Sequence, residues 1–139
     1  MITFQNTTDL QNSAEITYSN MQPYYLHYEI DWDLDTIKQK ILTLKNIDIL
    51  FGRVLIGAIR LEQDSEIFYL RDLQINKSHQ NRGIGAAAFE EVKRLAISTG
   101  ANIIRLRVFK ISPAYHLYQR LGFIVEKEED KFYCMQFNL

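Results

Sequence analysis

Residues Gln80 to Ala86 read Gln-Asn-Arg-Gly-Ile-Gly-Ala and stand between two stretches of different periodicity. Ahead of them, Glu66 to Ile75 has strand character. Behind them, Ile84, Ala88, Val92 and Leu95 recur at helical spacing until Gly100, with Phe89 and Ala96 beside that stripe. Strand, glycine turn and helix in this order make an α/β element that presents backbone N–H groups to an anion. The first turn of a helix has unpaired donors and the positive end of the macrodipole. Gly83 and Gly85 carry no Cβ, so a phosphate can approach the main chain there. The stretch therefore predicts a phosphate-bearing ligand.

Spacing narrows the ligand class. No Lys-Ser or Lys-Thr follows the glycines, which removes a P-loop. A dinucleotide fingerprint wants the loop tight against its strand. Here Asn76 to Arg82 intervene, and position 88 is Ala, which some variants of that fingerprint accept. The pattern is Gln-x-x-Gly-x-Gly, with Leu70, Leu73 and Ile75 ahead of it. A second block, Ser112 to Phe123, reads Ser-Pro-Ala-Tyr-His-Leu-Tyr-Gln-Arg-Leu-Gly-Phe. Together these resemble the GNAT acetyltransferase superfamily, whose second segment has the form Asn-Pro-Ala-x-x-Leu-Tyr-x-x-Leu-Gly-Phe. The resemblance covers Val54 to Phe123 well and Tyr24 to Ile41, around Trp32, more loosely.

The resemblance implies a mixed, mostly antiparallel sheet with helices on both faces, in the order β-α-α-β-β-β-α-β-α-β-β. It implies acetyl-CoA as co-substrate and a small-molecule or peptide amine as acceptor. Leu73, Gln74 and Ile75 would meet the pantetheine arm, with main-chain bonds from Leu73 and Ile75. Gln80, Asn81, Arg82, Gly83, Ile84, Gly85 and Ala86 would bind the pyrophosphate, and Arg82 and Lys77 would add charge at the adenosine end. Ser112 replaces the usual Asn, so fewer coenzyme contacts are expected there. Tyr118 occupies the family's tyrosine position. A phenol is a suitable donor to a departing thiolate, the reference pKa values being about 10 and 8.5. No general base stands out; Asp72 and Glu29 are the candidates. Tyr28, Glu29, Asp31 and Trp32 fall on the substrate-facing segment. Met1 to Ile37 holds six acidic residues and no Lys or Arg, together with several aromatics. That predicts attraction of a cationic amine, with cation–π contact to Trp32 or a tyrosine. The plainer alternative is that the aspartates start a helix and the aromatics pack on the sheet.

Along the chain, Ile2 to Gln5 reads as a strand and Asp9 as the cap of a helix to about Asn20, with Pro23 interrupting. A second helix starts near Asp33 and buries Ile37, Ile41 and Leu44. Asp48 to Phe51 and Val54 to Leu61 form a hairpin across Gly52-Arg53. In Glu66 to Ile75 the apolar residues switch parity between Leu70 and Leu73, as one extra residue in a β-bulge would produce. In the resembled family such a bulge splays two strands around the pantetheine. The alternative is that one leucine faces a second covering helix. Asn102 to Phe109 is a strand, Pro113 to Gly122 a short helix, and Phe123 to Val125 and Phe132 to Phe137 are strands flanking a charged turn.

Length places all 139 residues in one domain. A net charge of −1 argues against nucleic acid. The apolar run Ile47 to Leu61 is broken by charges, so no membrane span is expected. Cys134 has no partner for an internal disulfide, and the first residues lack a signal-peptide pattern, so a cytoplasmic location is expected. His27, His79 and His116 lack metal-ligand spacing, and no metal is expected. A homodimer is compatible with the resemblance. Three functions stand: acetyl transfer from acetyl-CoA to an amine, an idle acyl-CoA-binding regulatory domain of the same fold, and a nucleotide-binding domain.

Overall fold

The computed structural model describes residues 1–139. The chain is mixed α/β, with seven strands in one sheet and four helices. The strands are β1 (Ile2–Asn6), β2 (Lys45–Phe51), β3 (Val54–Asp64), β4 (Ile67–Ile75), β5 (Ile103–Phe109), β6 (Ile124–Glu128) and β7 (Phe132–Asn138). The helices are α1 (Leu10–His27), α2 (Leu34–Ile41), α3 (Ile84–Ser98) and α4 (Ala114–Leu121), with a 3-10 turn at Lys77–His79. The sheet order is β1-β2-β3-β4-β5-β7-β6. β4 and β5 are parallel, while β1–β2, β2–β3, β5–β7 and β6–β7 are antiparallel. The chain divides into two compact units, Met1–Leu61 with Asp72–Gly85, and Glu62–Arg71 with Ala86–Leu139.

In the first unit, Asp9 caps α1 by accepting from the Asn12 N–H (3.1 Å). The helix does not stop near Asn20. It continues through Pro23 to His27, because Tyr25 is buried (5% exposed) and anchors the last turns. A proline in a helix interior loses one backbone bond, at about 3 kcal/mol, and burial of an aromatic side chain offsets it. α1 ends with the Ile30 N–H reaching back to the Tyr25 carbonyl (2.8 Å) and Glu29 at φ 55. This is a left-handed helix stop held without a glycine. Asp33 then caps α2, accepting from Thr36 N–H at 2.8 Å. Ile37 and Ile41 are buried as expected; Leu44 lies beyond the helix and is half-buried.

β3 buries both of its faces from Ile56 to Leu61, and one buried position is charged. Arg60 is fully buried. Its guanidinium donates to Asn46 Oδ1 (3.0 Å), Thr17 Oγ1 (2.8 Å), Asp72 Oδ2 (2.7 Å), and the carbonyl and hydroxyl of Ser13 (3.0 and 2.8 Å). A buried cation survives only when paired and hydrogen-bonded like this.

Along β4, Phe68, Leu70 and Gln74 are buried, and Leu73 and Ile75 are half-buried. Arg71 donates from Nε to Glu62 (2.9 Å), and the very next residue, Asp72, accepts from Arg60. Arg60 and Glu62 are two apart on β3 and share a face. A Cβ at Gly57 would run into the Gln74 carbonyl oxygen, so β3 carries glycine where the β4 main chain passes.

In the second unit, α3 and α4 pack on one sheet face. Phe89, Phe123 and Phe137 form a ring cluster with centroids 5.1–5.4 Å apart. Ala88, Val92, Ala96, Ile104 and Met135 are buried, whereas Leu95 is half-buried at the edge of the stripe. β6 runs to Glu128, through residues expected to be a turn. Its ladder with β7 shifts register between Val125 and Lys127, which lets a charged segment pair without burying its side chains.

Candidate active site

The phosphate-loop residues are fixed from the end of β4. The Ile75 carbonyl accepts from Asn20 Nδ2 and Gln80 Nε2, both at 2.9 Å. The Asn76 N–H donates to the Ile56 carbonyl (2.7 Å), and the 3-10 turn closes with His79 N–H on the Asn76 carbonyl (2.9 Å). The chain then passes through two left-handed residues, Asn81 (φ 61) and Gly83 (φ 79), before α3 begins at Ile84. Asn81, Arg82 and Gly83 are exposed; Ile84 and Gly85 are buried. A Cβ at Gly83 would meet no protein atom within 4 Å. The glycine there is demanded by its backbone angle, and the main chain stays approachable from outside. A first helical turn with donors unpaired by the helix, an approachable loop and the Arg82 cation suit a pyrophosphate.

Asp72, Gln74, Ile75 and Gln80 belong to one hydrogen-bonded chain. Asp72 Oδ2 accepts from Arg60 and from Thr17 Oγ1 (3.1 Å), and its Oδ1 accepts from Gln74 Nε2 (2.7 Å). Gln74 Oε1 accepts from Asn20 Nδ2 (3.2 Å), which also holds Ile75. Two expectations change in consequence. Asp72 has both oxygens committed to donors and an ion-pair partner at 2.7 Å, so it is placed as an anchor rather than as a free base. The Ile75 carbonyl is satisfied by side chains, which leaves main-chain contact with a ligand to other groups of β4. Beside this network, burial pushes the Tyr25 hydroxyl pKa far up; the Asp72 charge adds to the rise and the Arg60 charge opposes it. Tyr25 is therefore a neutral phenol at every working pH. Arg60, Thr17, Asn20 and Tyr25 are missing from the sequence-based set. The one available signal was Arg60, a lone cation inside the apolar run Val54 to Leu61.

The expected substrate segment looks different from its sequence reading. Lys40 Nζ lies 4.5 Å from the centre of the Trp32 ring, and Tyr25 meets that ring edge-on at 5.4 Å. One face of the Trp32 ring, a candidate for cation–π contact along with the nearby tyrosines, carries the protein's own lysine. Glu29 serves the helix stop, Asp33 is a cap, and Tyr28 stacks edge-on with His27 at 4.7 Å. Asp31 and Glu29 are exposed.

In the second unit, Tyr118 is buried (6% exposed) on α4, with its ring edge-on to Phe123 at 5.6 Å. Its carbonyl accepts the Phe123 N–H (3.0 Å) across Gly122, whose φ of 108 ends the helix. Ser112 Oγ, at the residue replacing the usual Asn, accepts from the N–H of Ala114, the first residue of α4 (3.2 Å). The β4–β5 ladder pairs Ile67–Tyr69 with Ile103–Arg105 and ends there, although both strands continue. Leu70 and Arg71 of β4 lie beyond its last pair.

Residues 6–123 match the model of the Acetyltransferase (GNAT) family. The chain belongs to this family. Among solved structures it is similar to the PaiA N-acetyltransferase of Thermoplasma acidophilum in complex with coenzyme A. That likeness is 18% identical over 100% of this chain and 99% of that one, with a TM-score of 0.80. It is also similar to an acetyltransferase from Thermus thermophilus (19% identity, 100% and 97% covered, TM-score 0.77). A GNAT acetyltransferase from Elizabethkingia anophelis with acetyl-CoA bound is likewise similar (18% identity, 99% and 98% covered, TM-score 0.74). At such identities the likeness carries the fold. No curated protein matches the chain. No group of three or more His, Cys, Asp or Glu side chains is arranged to hold a metal, and no helix is long and apolar enough to cross a membrane.

Proposed function

We propose that this GNAT family member transfers an acetyl group from acetyl-CoA to an amine. The observation that carries the reading is the loop from Ile75 to Gly85. It is pinned at one end by Asn20 and Gln80, turned by two left-handed residues, and delivered to the first turn of a 15-residue helix. Asn81, Arg82, Gly83 and the main chain at Ile84 and Gly85 would hold the pyrophosphate, and the main chain of β4 near Leu73 would hold the pantetheine arm. Acetyl-CoA supplies the activated acyl group as a thioester. Tyr118 is the proposed proton donor to the departing sulfur. The amine loses its proton to solvent or to a water relay, since Asp72 is committed to Arg60. Structures of two similar proteins containing coenzyme A or acetyl-CoA support the choice of co-substrate.

Release of coenzyme A across a panel of primary amines tests the reading. Tyr118→Phe should lower turnover on the order of 10²–10⁴-fold while acetyl-CoA still binds in calorimetry. Turnover within about twofold of the parent would remove Tyr118 as the acid. Acetyl-CoA binding with no amine ever acetylated would favour the idle regulatory domain.

A further inference from the structure

On the sheet face of the second unit turned away from α3 and α4, a concavity of about 240 Å³ is lined by residues of β4, β5, β6 and β7. Tyr69 and Arg105, the last pair of the β4–β5 ladder, are both in its wall. Arg71, Arg107 and Lys127 add three more cations, against one lining carboxylate, Glu126. Arg105 and Arg107 are two apart on β5 and pair across the sheet with Gln136 and Cys134, so these side chains share the face.

Two of the guanidinium groups lie over aromatic rings. The Arg71 guanidinium carbon lies 4.0 Å from the Tyr69 ring centre, and that of Arg107 lies 4.0 Å from the Phe132 ring centre. Stacking leaves the N–H edges of a guanidinium available for bidentate bonds. Arg71 uses Nε and Nη2 on Glu62; Arg105 uses Nε on Gln136 (3.2 Å) and Nη2 on Glu126 (3.4 Å); Arg107 uses Nε on Glu129 (2.8 Å). Nη1 of each remains for a ligand. The partner carboxylates of Glu62, Glu126 and Glu129 are 35–46% exposed. Pairs in such contact with water contribute little and exchange partners readily.

We infer that this concavity binds an anionic group, a carboxylate or phosphate monoester, carried by the acceptor amine. The inference rests on the acetyltransferase reading and names its acceptor class. It replaces the cationic acceptor suggested by the acidic N-terminal segment, whose Trp32 ring is already covered by Lys40. Its location follows from the ladder. The wall begins where β4 and β5 cease to pair, after Tyr69 and Arg105. An amine tethered by its anionic group here stands beside that break in the ladder. Three guanidinium groups fit an oxyanion with several acceptor positions, and they repel an ammonium ion.

Cys134 is the chain's one cysteine and lines the concavity, where its Sγ donates to the Glu129 carboxylate (3.3 Å) that also accepts from Arg107, so its modification rates report the balance of those charges without any substrate. Its modification by an anionic (sulfonatoethyl) methanethiosulfonate is compared with that by a cationic (trimethylammonioethyl) one. The anionic reagent should react roughly tenfold faster, and Arg107→Gln should shrink that preference. Equal rates, or a cationic preference, would overturn the inference. In a second arm, coenzyme A release is followed with tyrosine against tyramine, and with phosphoethanolamine against ethanolamine. The anionic member of at least one pair should be preferred, and which pair responds distinguishes carboxylate from phosphate. Arg71→Gln and Arg107→Gln should raise KM for that member roughly ten- to hundredfold, with KM for acetyl-CoA and thermal unfolding unchanged. Tyramine and ethanolamine accepted as well as their anionic counterparts would overturn the anion site and leave acetyl transfer standing. Failure of every amine would remove acetyl transfer, and the Cys134 rates would still judge the concavity.

Discussion

Replacing Asp72 with Asn should cost more stability than loss of a surface carboxylate. The change leaves Arg60, which is fully buried, without its ion-pair partner, and breaking a buried pair from one side costs about 3–5 kcal/mol. Thermal unfolding of Asp72→Asn should therefore drop by roughly ten degrees or more. An unchanged midpoint would return Asp72 to the list of free carboxylates. Gly83 is constrained in the opposite way, by its backbone and not by its neighbours. Gly83→Ala has room for its methyl group but must hold φ near 79, at about 1–2 kcal/mol. The loop should relax away from this conformation, and coenzyme A affinity measured by calorimetry should fall by about tenfold, with the midpoint little changed. The glycine was legible in the sequence because a loop between strand and helix advertises it. The role of Asp72 was not, because a carboxylate's partner forty or more positions away, such as Thr17, leaves no mark on local pattern.

Among the elements, the caps were the most readable. Asp9 and Asp33 were identified from sequence as helix starts, and each accepts the expected backbone N–H. The Thr36 N–H bond holds the Asp33 carboxyl below its usual pKa. The folded chain then binds that proton less readily than the unfolded chain does. The contribution of the cap is whole above about pH 4 and fades as the pH falls through the depressed folded value. Asp33→Asn keeps a cap at neutral pH but lacks this acid sensitivity. The difference in unfolding midpoint between parent and variant should narrow between pH 7 and pH 2.5, and a constant difference would contradict the assignment. Element ends were less readable. α1 overrode Pro23 through burial of Tyr25, and β6 extended through a charged run by a register shift against β7. Both outcomes depend on contacts distant in sequence, which local propensity does not register.

For the whole chain, the element order and the mixed sheet were available through the resemblance, and the order of strands within the sheet was not. Alternation marks a strand but says nothing of its neighbours, and β7 lying between β5 and β6 is a long-range outcome. A ligand that binds the native chain alone raises its stability, by about 2.7 kcal/mol at a hundredfold excess over Kd. Coenzyme A should therefore raise the unfolding midpoint by several degrees, and ATP at equal concentration should not. Equal shifts would instead favour a nucleotide-binding domain. The two outer strands have another consequence. β6 presents Glu126, Lys127 and Glu128 along its length, while β1, Ile2–Asn6, carries no charge at all. Exposed strand edges recruit further strands unless charge or proline blocks them. When this protein is stressed by heat or concentration, self-association should nucleate at the β1 margin and spare the β6 margin, making colloidal behaviour a property of five residues remote from the chemistry.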